Sequence, residues 1–119
     1  MQTVVETPAF QKSAAQAGMS EKEITQLIDY LAANPDAGDE IKGTGGCRKV
    51  RVAGRGKGKS GGYRVITFFS GSAIPLFLFY AYSKADRDDL DGKQRNALRT
   101  ATGEIVEIYG RRKPVRRVR

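Results

Sequence analysis

The chain has 119 residues, 21 Lys and Arg against 13 Asp and Glu, a formal net charge of +8, and 39% apolar residues. That describes one small domain with a single modest core and excludes an enzyme carrying a separate cofactor domain. A single cysteine, Cys47, rules out an internal disulfide, and the lack of histidine rules out a His-based triad and an ordinary zinc site, so neither metal nor cofactor is expected.

The first element is a short strand opening at Val4-Val5. Pro8 to Ala17 follows as an alanine-rich helix ended by Gly18. Ser20-Glu21-Lys22-Glu23 then has the form of a capping box. The helix it starts carries Ile24, Leu27, Ile28 and Leu31 on one stripe and stops at Asn34-Pro35. After a polar loop ending in Gly43-Thr44-Gly45-Gly46, Arg48-Lys49-Val50-Arg51-Val52 alternates cations with valines. That pattern is a strand with one basic and one core face.

Ala53 to Gly62 is rich in glycine and lysine and reads as a surface loop. Tyr63 to Phe69 is a second strand, Ser70-Gly71-Ser72 a hairpin turn, and Ile74 to Tyr82 a strand apolar enough to be covered on both faces. Leu90, Leu98, Ala101, Ile105 and Ile108 suggest a last helix from about Asp91. The expected class is α+β: a small antiparallel sheet of three to four strands covered by N-terminal helices and a C-terminal helix. The expected domain is 1–109, with 110–119 a basic tail disordered in isolation. The apolar run from Ile74 to Tyr82 is far below the ~20 residues of a membrane span. The N-terminus lacks the pattern of a secretory signal, so the cytoplasm is the expected location, with no membrane association.

The charge is clustered. From Met1 to Ile41 there are 2 basic and 7 acidic residues, whereas Lys42 to Arg64 holds 8 basic and none acidic. Gly110 to Arg119 holds a further 6 basic and none acidic. Such blocks are the footprint of a polyanion binder, although a solvated loop and a solubilising tail would look similar. Ala53-Gly54-Arg55-Gly56-Lys57-Gly58-Lys59-Ser60 fits a relaxed phosphate-loop pattern. That chemistry needs Lys-Ser to open a helix, and here a strand pattern follows. A different use fits better: flexible glycines let Lys and Arg converge on a phosphodiester, while Arg64 on a strand supplies a rigid planar fork. Tyr63, Tyr80 and Tyr82 border this region, where aromatics can stack on splayed bases. Cys47 has no histidine to activate it and reads as a packing residue.

The frame Gly46-Cys47-Arg48-Lys49-Val50-Arg51, the loop Gly56-Lys57-Gly58-Lys59-Ser60-Gly61-Gly62 leading into Tyr63-Arg64-Val65-Ile66, then Tyr82-Ser83-Lys84 and Asp89-Leu90, together resemble the RelE/HigB family of bacterial toxins. The likeness is greatest to its HigB-like, phage-related branch and spans about Glu21 to Tyr109. The resemblance implies a RelE-like microbial RNase fold and a metal-independent, ribosome-dependent mRNA endoribonuclease acting in the ribosomal A site. It also implies a cognate antitoxin, encoded adjacent and carrying a helix-turn-helix. Carried over by position, Lys57, Lys59, Arg64 and Lys84 are the catalytic candidates, and Arg48, Arg51, Arg55, Tyr82 and Arg87 the RNA-binding ones. The C-terminal tyrosine base of RelE itself has no counterpart in Asp89-Leu90-Asp91, which leaves a lysine, an aspartate or Tyr109 as the base. Two other readings stand beside this one: a gyrase-poisoning toxin like the related ParE proteins, and a non-catalytic RNA-binding module.

Overall fold

The computed structural model describes residues 1–54, 58–86 and 89–111, with backbone alone for residues 58–61 and 111. Strand β1 (Val4–Glu6) leads into α1 (Pro8–Ala17) and α2 (Glu21–Ala33). Strands β2 (Asp39–Glu40), β3 (Cys47–Gly54), β4 (Gly58–Phe68) and β5 (Leu76–Ser83) follow, then α3 (Gly92–Arg111). The five strands form one sheet in the order β1-β5-β4-β3-β2.

The helix ends follow the sequence signals. The Thr7 hydroxyl accepts from the Phe10 N–H at 3.1 Å while donating to the Leu78 carbonyl at 2.7 Å, so one side chain both caps α1 and ties it to β5. Ser20 and Glu23 form the reciprocal box, at 3.1 and 2.8 Å. Asp91 and Gln94 repeat the pattern at the start of α3, with bonds of 2.7 and 3.1 Å.

The sheet is larger than expected, because β1 and β2 both join it. β1 pairs with β5 in parallel, Val4 opposite Leu76, an arrangement the intervening helices make possible by returning the chain. The glycine-rich segment expected to be a loop is mostly strand: β3 runs to Gly54 and β4 starts at Gly58. Lys59-Ser60 therefore lies in a strand, which removes the phosphate-loop reading. α3 continues through Arg111, past the expected domain end.

Two cores result. Phe10 and Ala14 of α1, Leu27 and Leu31 of α2, and Val50, Tyr63, Val65, Leu76, Leu78 and Ala81 of the strands form the first. On the opposite face Cys47, Ile66, Phe68 and Phe79 pack with Leu90 and Leu98 at and before α3. β5 is thus covered on both sides, as its composition requires. Thr102 fixes where α3 sits: its buried hydroxyl donates to the Thr44 carbonyl at 3.0 Å, and Thr44 in turn holds the turn entering β3 through Ile41 and Cys47. Ile108, expected on the buried stripe, is half exposed.

A candidate nucleic-acid interface

Residues directly opposite in neighbouring strands project to the same face of a sheet. The β3–β4–β5 register puts Arg51 opposite Arg64 and Arg64 opposite Tyr82, one row across three strands. Strand spacing makes that row about 10 Å wide, from two gaps of roughly 4.8 Å each. The next row holds Lys49, Ile66 and Tyr80, so Lys49 belongs to the same face. This is the α3 face. α3 and Leu90 pack over its Cys47–Phe68 end, the same buried cluster takes in Tyr82, and at the far end it is Arg51 that is exposed while Arg64 and Tyr82 are buried.

Arg51 and Arg64 stand directly opposite each other, so their positive charges add at one place on the sheet, a place that favours an anion. Arg64 is only 5% exposed, and its guanidinium donates to the Tyr63 carbonyl at 3.3 Å. Such burial holds the fork still, which suits bidentate contact with phosphate oxygens. Arg51 is exposed beside it.

An acidic residue borders the cations. The Asp89 carboxylate lies 4.0 Å from Lys49 Nζ and 3.0 Å from the Arg95 guanidinium, and it accepts from the Leu90 N–H at 2.9 Å. That N–H above all holds its carboxyl below the usual value; burial opposes it, and the Lys49 and Arg95 cations add smaller depressions. A carboxylate so stabilised is a weak proton acceptor. Lys49 is thereby tied to the start of α3 at the margin of the cationic row.

The sequence-derived residues divide clearly. Arg64, Arg51 and Tyr82 come together in one row. Lys84 is exposed just past β5, its backbone N–H donating to Gly62 at 3.0 Å, which puts it at the Arg64 end of the sheet. Arg48 points the other way: it shares the parity of Val50 and Val52, and its guanidinium donates to the Gly38 carbonyl at 3.1 Å. Arg55, Lys57, Arg87 and the side chain of Lys59 lie outside the described residues. Tyr63 belongs to the helix-covered face, its hydroxyl 3.3 Å from both Gly18 O and Glu23 Oε1. Tyr109 meets Phe77 edge-on at 6.3 Å, at the far end of β5 from Tyr82.

Sequence reasoning left Lys49 out of the candidate residues and named Asp89 only within the Asp89-Leu90-Asp91 stretch of the resemblance. The signal for Lys49 was present: if Val50 and Val52 face the core, Lys49 and Arg51 share the other face and Arg48 does not. The pairing of Asp89 with Lys49 left no such trace, since the loop before α3 has no periodicity. Cys47 is fully buried, and burial pushes its thiol up to about 11 despite a hydrogen bond with Thr44, as suits a packing residue. A cleft of about 370 Å³ opens beside the row, between Tyr80, Tyr82 and Ser83 on one side and Lys12 and Gln16 of α1 on the other.

The molecule is a small α+β domain with α1 and α2 over one face of a five-stranded sheet and α3 over part of the other, which carries the Arg51–Arg64 row. The chain is a member of the RelE toxin family: the family model described as the RelE toxin of the RelE / RelB toxin-antitoxin system matches residues 2–112. It is the toxin of a toxin–antitoxin system, which implies an antitoxin partner, and toxins of this family are generally mRNA-cleaving enzymes. Among the described residues no helix is long and apolar enough to cross a membrane.

Proposed function

We propose that this chain is a ribosome-dependent mRNA endoribonuclease of the HigB-like type, working without a metal. The observation that carries the reading is the Arg51–Arg64–Tyr82 row on the α3 face, exposed at Arg51 and buried at Arg64 and Tyr82. In the reaction, the 2′-hydroxyl of one nucleotide attacks the adjacent phosphorus. The 2′-oxygen–phosphorus bond forms, the phosphorus–5′-oxygen bond breaks, one proton leaves the 2′-hydroxyl and one reaches the 5′-oxygen. The products are a 2′,3′-cyclic phosphate and a 5′-hydroxyl end. Arg64 stabilises the charge that builds on the equatorial phosphate oxygens, as a fixed cation does best when it need not reorganise. Lys57, Lys59 and Lys84 supply further charge or proton transfer, Arg51, Arg55 and Arg87 grip the backbone, and Tyr82 takes a base. Lys49 joins the grip in place of Arg48. The depressed carboxyl of Asp89 argues against it as the base and favours a lysine.

Expression of the wild type should arrest growth and leave translated transcripts cut, with cleavage by programmed ribosomes unaffected by EDTA. Arg64→Ala should lower cleavage by about 10²- to 10³-fold, the usual effect of removing one preorganised charge donor. Equal toxicity of Arg64→Ala sinks the assignment, and DNA damage with intact mRNA would mean a gyrase poison instead.

A further inference from the structure

β5 has a strand on each side only as far as Leu78. β4 follows it from Phe77 to Ser83, but β1 reaches only Leu76 to Leu78. Past that point α1 takes the place of a strand: the Ser13 hydroxyl accepts from the Ala81 N–H at 2.9 Å and donates to the Phe10 carbonyl at 3.2 Å. A helix joined to a strand edge through one side chain stands off from it, and the room left here is the cleft of about 370 Å³. Its chemistry comes from Lys12 and Gln16 of α1, Tyr80 and Tyr82 of β5, Asp86 of the following turn and Gln94 at the start of α3. Local bonds fix the last two. The Asp86 N–H donates to the Ser83 carbonyl at 3.0 Å, which closes the turn that brings Asp86 back to the cleft. Gln94 Oε1 accepts from the Asp91 N–H at 3.1 Å, so its amide is oriented with Nε2 left over as a donor.

We propose that this cleft is a base pocket selective for guanine, and that it takes the base of a nucleotide whose phosphate lies on the Arg51–Arg64 row. The proposal rests on the RNA-cleaving reading above. Tyr82 stands opposite Arg64 and also lines the cleft, so row and cleft are neighbours about one strand spacing, roughly 4.8 Å, apart. The phosphate and base of a single nucleotide span such a step. Tyr80, less buried than Tyr82, supplies the ring on which the base stacks. The polar groups then choose among the bases. Guanine carries adjacent acceptors, O6 and N7, which suit the Lys12 ammonium and the Gln94 amide donor; its N1 and N2 hydrogens suit the Asp86 carboxylate. Adenine has an amino group in place of O6, which sets a donor against donors. Cytosine and uracil lack the five-membered ring and N7, so each fills less of the cleft and leaves one donor unmet.

The test titrates the full-length chain, read by NMR, with 2′-O-methylated trinucleotides that cannot be cut, uridine at both ends and each of the four bases in the centre. The guanine trinucleotide should bind about tenfold more tightly than the others, the discrimination of one good bidentate contact, and should shift the amide signals of Tyr80, Tyr82 and Gln94. Guanosine alone, with no phosphate for the row, should bind about tenfold more weakly than that trinucleotide. Asp86→Asn and Lys12→Met, both at exposed positions, should each bring the affinity for guanine down to that for adenine. Tyr80→Leu should weaken all four by about fivefold through lost stacking. Equal affinity for the four centres, preference for another base, guanosine binding as tightly as the trinucleotide, or a guanine preference that survives either substitution each overturns the proposal. Cleavage of transcripts on expression is scored separately. Cut transcripts with no base preference in binding remove the cleft alone, whereas guanine-selective binding by a chain that leaves mRNA intact removes the nuclease reading.

Discussion

The two faces of the sheet are made from the same strands yet serve opposite ends. On the α1–α2 face Val50, Val65, Leu76 and Leu78 meet Phe10, Leu27 and Leu31, and every large apolar group finds an apolar partner. On the α3 face the same strands run from an apolar half, Cys47, Ile66 and Phe68, to a row of like charges, Arg51 and Arg64. The difference teaches that stability and function are divided by strand parity and by distance along the strand. One face is given over to apolar burial, and the other combines a smaller buried cluster with two arginines set opposite each other.

The sharpest way to break this comparison is to empty the sealed face. Leu31→Ala, at a fully buried site, should cost about 2–5 kcal/mol in urea denaturation, from the missing transfer energy plus the cavity left behind. Arg51→Gln, its counterpart on the open face, should change stability by less than about 0.5 kcal/mol. The same change should weaken RNA binding and reduce its salt slope by about 1, because one phosphate is no longer neutralised. A large destabilisation by Arg51→Gln would mean the row is structural and the division false. Ser20→Ala, on the sealed side, should cost about 1 kcal/mol by uncapping α2.

Two smaller effects sharpen the boundary between the halves of the α3 face. Cys47 lies under α3 with its thiol pushed up to about 11, so native protein at pH 8 should react with a thiol reagent only as fast as the cover opens. Thr102→Val, which deletes the bond to Thr44, should speed labelling about tenfold, or by roughly 1.4 kcal/mol of cheaper opening. Gly45 guards the same junction. Its φ is +79°, and a Cβ there would run into the Thr102 hydroxyl. The weakest effect belongs to Asp89. Its folded carboxyl titrates below the unfolded value of about 4, so its contribution is complete above that pH and fades as pH falls through the depressed folded value. Denaturation of wild type and Asp89→Asn should therefore converge in acid and separate slightly above pH 5. Because the carboxylate is largely exposed, added salt should shrink the gap.

How much could be read beforehand differs between elements for identifiable reasons. The capping box at Ser20, the end at Gly18 and the stop at Asn34-Pro35 are interactions within three or four residues, so the sequence alone displays both partners. The glycine-rich stretch misled, because glycine and lysine suit a loop by composition, yet a long β3–β4 ladder recruits Gly58 to Gly62 into a strand. Arg64 stood out through its Tyr-Arg strand start. Asp89 stood out only through the Asp89-Leu90 resemblance, and its partners Lys49 and Arg95 are brought to it only by the fold.

The sequence by itself determined the helices, the apolar strand that must be covered twice, and the concentration of positive charge between Lys42 and Arg64. Those are local properties of cap chemistry, periodicity and composition. Tertiary structure alone decided that β1 joins β5 in parallel, that Arg51 and Arg64 stand side by side while Arg48 turns away, and that α3 packs over the Cys47–Phe68 end of its face. Register across strands comes from pairing between distant segments, and a shift of one residue would have sent the row of arginines to the opposite side.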